Sequence, residues 1–252
     1  MTFIIFAGLA AFFLIAEKLF STRHRKSPRS GLWGDLMYAF IYFLMRISIN
    51  GFIAGGVIEW LHFTMPGFLP ELLKKKPVWL QTLVLLLVLD FIFYVNHRLK
   101  HRWPYWWRLH ETHHSSDSLD FLSAARFHVL EKIIDRMIYI LPIAVFDVSM
   151  TTLVIWASVD AFFGMFSHSN LRWRMGPLKY IFMCPEMHRW HHVKDARQSR
   201  CNFGNNFSIF DWIFGTAYIS DKEPADFGIR DTAYPKDSLV KQFFYAFRPF
   251  SE

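Results

Sequence analysis

The sequence predicts an all-α integral membrane helical bundle with a cytoplasmic helical cap that carries histidine-rich motifs. Three observations predict it. Hydrophobic residues make up 53% of the 252-residue chain and aromatic residues 19%, gathered into apolar runs longer than a soluble core requires. Nine of the twelve histidines fall into spaced groups. The basic residues border the apolar runs, as they do at membrane faces.

The first run, Thr2 to Ala16, is uncharged and short of the ~20 residues a bilayer core needs, which puts Glu17 and Lys18 at the interface. Its positive flank follows the run and no small-x-small cleavage site is evident, so it reads as a retained anchor. A second run, Leu36 to Trp60, is interrupted by Arg46 and Glu59 and is long enough to span with tilt. A third, Val78 to Val95, contains Asp90 and leads directly into Asn96 and His97. The stretch Ile133 to Phe166 is too long for one span, and Pro142, Asp147 and Ser149 predict a helical hairpin turning near Asp147.

With the N-terminus outside, these runs give five crossings and leave every histidine group on the cytoplasmic side. Arg23, Arg25, Lys26 and Arg29 follow the first run, and Arg98, Lys100, Arg102, Arg108, Arg126, Lys132 and Arg136 flank the first histidine groups, in agreement with that orientation. Lys74, Lys75 and Lys76 fall outside, unless with Glu71 they mark an embedded amphipathic segment.

The histidine groups are His97-x3-His101, His110-x2-His113-His114, a lone His168, and His188-x2-His191-His192. At about 3.6 residues per turn, positions i, i+3 and i+4 share a helical face, so each HxxHH triplet gathers ring nitrogens. A lone histidine such as His24 or His62 is ordinarily a surface or packed residue; repetition at ligand spacing is not. Nine imidazoles exceed the needs of one ion and suit two, at about four or five ligands each, of zinc, copper, iron or nickel. The competing explanation is a structural or pH-sensing cluster. Pro104 precedes Tyr105 to His114 and Pro185 precedes Glu186 to Val193, so each triplet sits on a short helix with proline in its first turn. The aromatic, amphipathic tail Ser208 to Tyr218 packs on the cap or lies at the interface. No linker or repeat divides the chain, which reads as one domain, 1–252.

The net charge of +7 points to an anionic lipid surface and not to nucleic acid, because the cations are interleaved with Trp103, Tyr105, Trp106 and Trp107. Cys184 and Cys201 form no CxxC pair and read as reduced cytoplasmic thiols.

The four histidine groups, followed by Asn202-Phe203-Gly204 and by Phe210 to Thr216 (FDWIFGT), resemble the fatty acid hydroxylase superfamily, specifically its sterol desaturase branch, over about Asp90 to Ala217. The stretch His110-Glu-Thr-His-His-Ser-Ser-Asp is also similar to alkylglycerol monooxygenase, a member of the same superfamily. The resemblance implies a non-haem centre of two iron ions, with zinc able to take the same ligands, held by His97, His101, His110, His113, His114, His168, His188, His191 and His192. It implies a membrane enzyme that uses O2 to hydroxylate or desaturate a lipid or sterol-like substrate. Arg126-x-His128-x2-Glu131 resembles a further pattern of this branch in which proline follows the histidine; Val129 stands there instead. His128 is then expected beside a ligand or in packing. Asp160, two turns before His168, is placed either to orient a ligand imidazole or to serve as a hydrogen-bonded polar residue of the bundle. Glu111 and Glu186 lie outside the ligand positions.

No haem module or GxGxxG fingerprint is evident, so electrons are expected from a separate ferredoxin, cytochrome or reductase docking on the basic rim. The alternative is a histidine-rich membrane metal-binding or transport protein. A transporter should hold its ligands near the bilayer midplane, whereas these cluster at one membrane face.

Overall fold

The computed structural model describes residues 2–23, 31–49, 55–64, 73–195, 198–236 and 238–249. His24, Arg25, Lys26, Arg29 and Glu71 lie outside the described residues, as do the side chains of Arg46 and His62. The helices are α1 (Thr2–Phe20), α2 (Leu32–Ile49), α3 (Gly55–Thr64), α4 (Val78–Arg102), α5 (Pro104–His114), α6 (Val129–Phe146), α7 (Met150–His168), α8 (Pro185–His191), α9 (Ile209–Ile213) and α10 (Leu239–Tyr245). Two 3-10 helices, Phe121–Ala125 and Gly176–Tyr180, lie between them. No β-strand occurs among the described residues, only isolated bridges.

Two of the described helices, α4 and α7, are long and apolar enough to cross a membrane. Over the apolar run Leu36 to Trp60 the described residues form α2 and α3, and residues 50–54 between them lie outside the described residues. The expected hairpin is present: α6 ends at Asp147, whose φ of 44° and ψ of 55° are left-handed, and Ser149 caps α7 by accepting from the Thr152 amide. Short polar residues serve these roles because their side chains bond the nearby backbone.

Lys74 pairs with Asp147 at 2.8 Å, and Gln81 accepts from the Ser149 amide and the Thr152 hydroxyl. These contacts fix the start of α4 to the tip of the hairpin. At the opposite end, α4 runs into His97 and His101. One apolar cluster, Leu85, Leu89, Tyr139 and Trp156, joins α4, α6 and α7. Another, centred on Phe13, Phe121, Phe166, Met183 and Met187, joins α1 and α7 to the start of α8.

Pro104 disfavours helical geometry at the preceding residue. Trp103 is accordingly extended, with φ −100° and ψ 125°, and proline opens α5. The chain therefore breaks between His101 and His110 and folds the first triplet back onto the end of α4.

Candidate metal centre

The fold gathers all nine histidines, every one of them buried, into two groups. His97, His101, His110, His114 and His191 form one; His113, His168, His188 and His192 form the other, and within each the candidate ligand atoms lie within 4.8 Å of one another. Each HxxHH triplet is split. In α5 the i, i+4 pair His110 and His114 joins the first group and His113 the second; at α8 the pair His188 and the C-cap His192 joins the second and His191 the first. Residues four apart stack on one face, while the i+3 residue is offset around the helix, so one short helix serves two neighbouring positions.

The outer ring nitrogens show which way the lone pairs point. Nδ1 of His97 donates to the Phe203 carbonyl at 2.8 Å, that of His113 to Arg126 at 3.1 Å, that of His168 to Gly164 at 2.7 Å and that of His191 to Cys201 at 2.7 Å. Nδ1 of His110 donates to the Glu131 carboxylate at 2.8 Å. Each of these neutral rings then presents an unprotonated Nε2.

Nε2 of His97 faces Nε2 of His110 at 3.0 Å, and Nε2 of His168 faces Nε2 of His113 at 3.1 Å. Neither member of either pair has a proton to give. Facing lone pairs repel, and a cation between them turns that repulsion into coordination. Nε2 of His101 and of His191 are buried without a hydrogen-bond partner. Ligand bonds of ~2.1 Å place neighbouring nitrogens ~3.0 Å apart at right angles and ~4.2 Å apart when opposite, close to the observed spacings. The residues present therefore fit metal ions in both groups.

Residues 82–216, just over half of the chain, match the family described as Fatty acid hydroxylase. The chain belongs to the fatty acid hydroxylase family. It is 33% identical over 140 residues to ornithine lipid hydroxylase OlsE of Rhizobium tropici, covering 56% of this chain and 42% of that one. It is 30% identical over 140 residues to alkylglycerol monooxygenase of Xenopus tropicalis, covering 56% and 31%. Methylsterol monooxygenase 1-3 of Arabidopsis thaliana is 29% identical over 151 residues, covering 59% and 50%. The chain thus matches half or less of the length of these curated relatives. No solved structure matches it.

Behind the histidines of this fatty acid hydroxylase family member lies a buried ionic network. Lys100 Nζ contacts Glu131 at 2.8 Å and Asp135 at 2.7 Å, and Asn96 donates to Asp135 at 2.7 Å. Glu131 thus joins Lys100 to His110. By sequence, Lys100 and Arg126 stand among the cations expected at a membrane face. Both are buried and paired, Arg126 with Asp35 at 2.5 Å, so neither is available to lipid headgroups.

A second support is the Asn-Phe-Gly turn. Asp211 accepts from the Phe203 and Gly204 amides at 2.8 and 2.9 Å, and Asp90 accepts from the Asn206 and Phe207 amides at 2.7 and 3.0 Å. A Cβ on Gly204 would collide with the Phe207 carbonyl oxygen. The turn aims the Phe203 carbonyl at His97.

The remaining candidates lie outside the two groups. His128 caps α6 by accepting from the Leu130 amide and donates from Nε2 to the Phe243 carbonyl at 3.0 Å. Asp160 accepts from the Asn205 amide group at 2.8 Å. Glu111 pairs with Arg248 at 2.5 Å, and Glu186 lies 3.8 Å from both Arg174 and Lys179. Cys184 and Cys201 are buried free thiols.

Burial, then neighbouring imidazoles, hold His113, His114, His188 and His192 well below the usual histidine range, and His191 at about 3. The folded rings therefore stay neutral where the unfolded chain, with ordinary values near about 6.5, takes up protons. Their contribution to stability is full above that value and is lost as pH falls toward the folded values. Metal-free protein in detergent is expected to melt at progressively lower temperature from about pH 7 to about pH 5; an unchanging midpoint would contradict this account.

Proposed function

We propose that the chain is a membrane-bound non-haem diiron oxidoreductase that uses O2 to hydroxylate or desaturate a lipid or sterol-like substrate. The observation that carries this reading is the pair of buried histidine groups with facing Nε2 lone pairs. His97, His101, His110, His114 and His191 would hold one iron; His113, His168, His188 and His192 would hold the other. When bound, the ions supply the capacity to activate O2 for attack on an unactivated C–H bond.

The nine rings hold neutral donors in place and keep water from the reacting centre, and the outer partners of His97, His110, His113, His168 and His191 prevent those five from rotating. Hydroxylation takes one O2, two electrons and two protons, places one oxygen atom in the C–H bond and releases one water. Desaturation takes the same inputs, removes two hydrogens from the substrate and releases two waters. A separate ferredoxin, cytochrome or reductase supplies the electrons. The activities named for the relatives, hydroxylation of an ornithine lipid and oxygenation of alkylglycerols and methylsterols, support a lipid substrate.

The same reading makes the chain, 1–252, one multi-pass domain with its centre on the cytoplasmic face. Its support is polarity along the bundle: α4 and α7 both end at histidines, while Lys74 and Asp147 pair at the other end.

Aerobic cell extracts supplied with a reductant are expected to convert a membrane lipid to a product that has gained oxygen or lost two hydrogens, and a His113→Ala variant is not. Unchanged lipid profiles combined with altered cellular metal content would replace this reading with metal transport.

A further inference from the structure

We infer that α9 and the 3-10 helix Gly176–Tyr180 form a keel that inserts into the lipid leaflet beside α4, so that the histidine cap is partly sunk in the bilayer interface. The inference rests on the membrane reading above and goes beyond it, because neither segment belongs to a spanning helix.

The first observation is inverted amphipathicity. The polar side chains of α9 and its N-cap point into the protein: Asp211 is fully buried and holds the Phe203 and Gly204 amides, and buried Ser208 donates to the Lys179 carbonyl at 2.6 Å. The apolar ones point out. Ile209, Trp212, Phe214, Tyr180 and Ile181 are exposed, and Ile213 is 64% exposed. Tyr180 and Trp212 touch, with ring centroids 4.9 Å apart, so the two segments make one contiguous face. A surface meant for water has the opposite arrangement, and apolar patches of this kind mark contact with lipid or protein.

The second observation selects lipid. Along α4, Leu83, Leu87, Phe91 and Val95 are exposed at every fourth position, a stripe on one side of a helix long and apolar enough to cross a membrane. Phe210 and Phe214 pack on Phe91 of that stripe, at 5.3 and 6.0 Å between ring centroids. The exposed face of α9 is therefore continuous with the side of α4 that faces acyl chains. Phe91 precedes His97 by six residues, or about 9 Å of helix. That depth matches the about 5–10 Å to which interfacial helices sink. Trp212 and Tyr180 have the amphipathic rings favoured at this level.

The keel is mechanically close to the centre. Asp211 of α9 fixes the Phe203 amide, and the Phe203 carbonyl accepts from His97. A lipid approaching through the leaflet would then meet the cap without leaving the membrane.

The test is electron paramagnetic resonance on the full chain in vesicles of neutral and anionic phospholipid, with a nitroxide on Ile213→Cys. Leu87→Cys serves as the lipid reference. Asp221→Cys, at a fully exposed side chain, serves as the aqueous one; both native cysteines are buried. The Ile213 nitroxide is expected to collide more with O2 than with a water-soluble nickel chelate, as at Leu87, and Asp221 to show the reverse. An Ile213 nitroxide as open to nickel as Asp221, with Leu87 protected, would overturn the keel while leaving the membrane reading intact, and would turn the patch into a protein-contact surface. Free nickel access at Leu87 as well would overturn both.

Discussion

Replacing His191 with alanine is expected to abolish turnover and leave the purified chain with one metal ion or none. His191 sits among the other rings of the five-histidine group, with centroids 4.4 Å from His97, 4.6 Å from His101 and 4.7 Å from His114. The change removes a proposed ligand and the bond that ties it to the Cys201 carbonyl. Loss of an outer partner alone typically costs about 10–100-fold in affinity or activity, and loss of a ligand should exceed that. Because α8 also carries His188 and is capped by His192, slackening at one ion should reach the other. Elemental analysis of metal per chain, paired with lipid product formation, checks this; circular dichroism should stay native. A variant with full metal and full turnover would remove His191 from the centre.

The second large effect is expected at Glu131. Its carboxylate accepts from His110 and pairs with Lys100, so Glu131→Ala frees one ring to rotate and leaves a buried ammonium with Asp135 as its remaining carboxylate. Breaking a buried pair costs about 3–5 kcal/mol, and the lost orientation should weaken metal binding by about 10–100-fold. Glu131→Gln keeps an acceptor and should fall between the variant and the native chain. Asp135→Asn disturbs Lys100 without touching His110, so it should affect stability more than metal affinity. Competition against a coloured chelator separates the two effects. Native metal affinity in Glu131→Ala would show that the carboxylate serves packing alone.

The histidines were legible from spacing because chelation by i and i+4 is local helix geometry. Their division into two groups was not, since the sharing of a triplet between two positions depends on how α5, α7 and α8 meet. Lys100 illustrates the same limit. Its position beside an apolar run resembles a cation at a membrane face, and only the pairing of α4 with α6 brings Glu131 and Asp135 against it. The hairpin at Asp147 was legible because a short polar turn and an N-cap serine act through their own backbone, whereas Pro142, expected to help break the run, lies inside α6. For His128 and Asp160 the sequence left two alternatives each, beside a ligand or in packing and hydrogen bonding within the bundle, and their hydrogen bonds go to Phe243 and Asn205.

The interleaving of α5 and α8 also sets an order of assembly. His97 and His192 are separated by 95 residues, and neither group is complete until α8 has been made. At a synthesis rate of about 5–20 residues per second, roughly 5–20 s pass between the first histidine and the last. During that interval α4, α5 and then α7 hold their rings without the partners that complete either group. The α6–α7 hairpin must have closed before His168 can meet His113. A nascent chain stalled anywhere short of residue 188 would therefore carry neither finished half, and maturation of the two halves becomes a single late event.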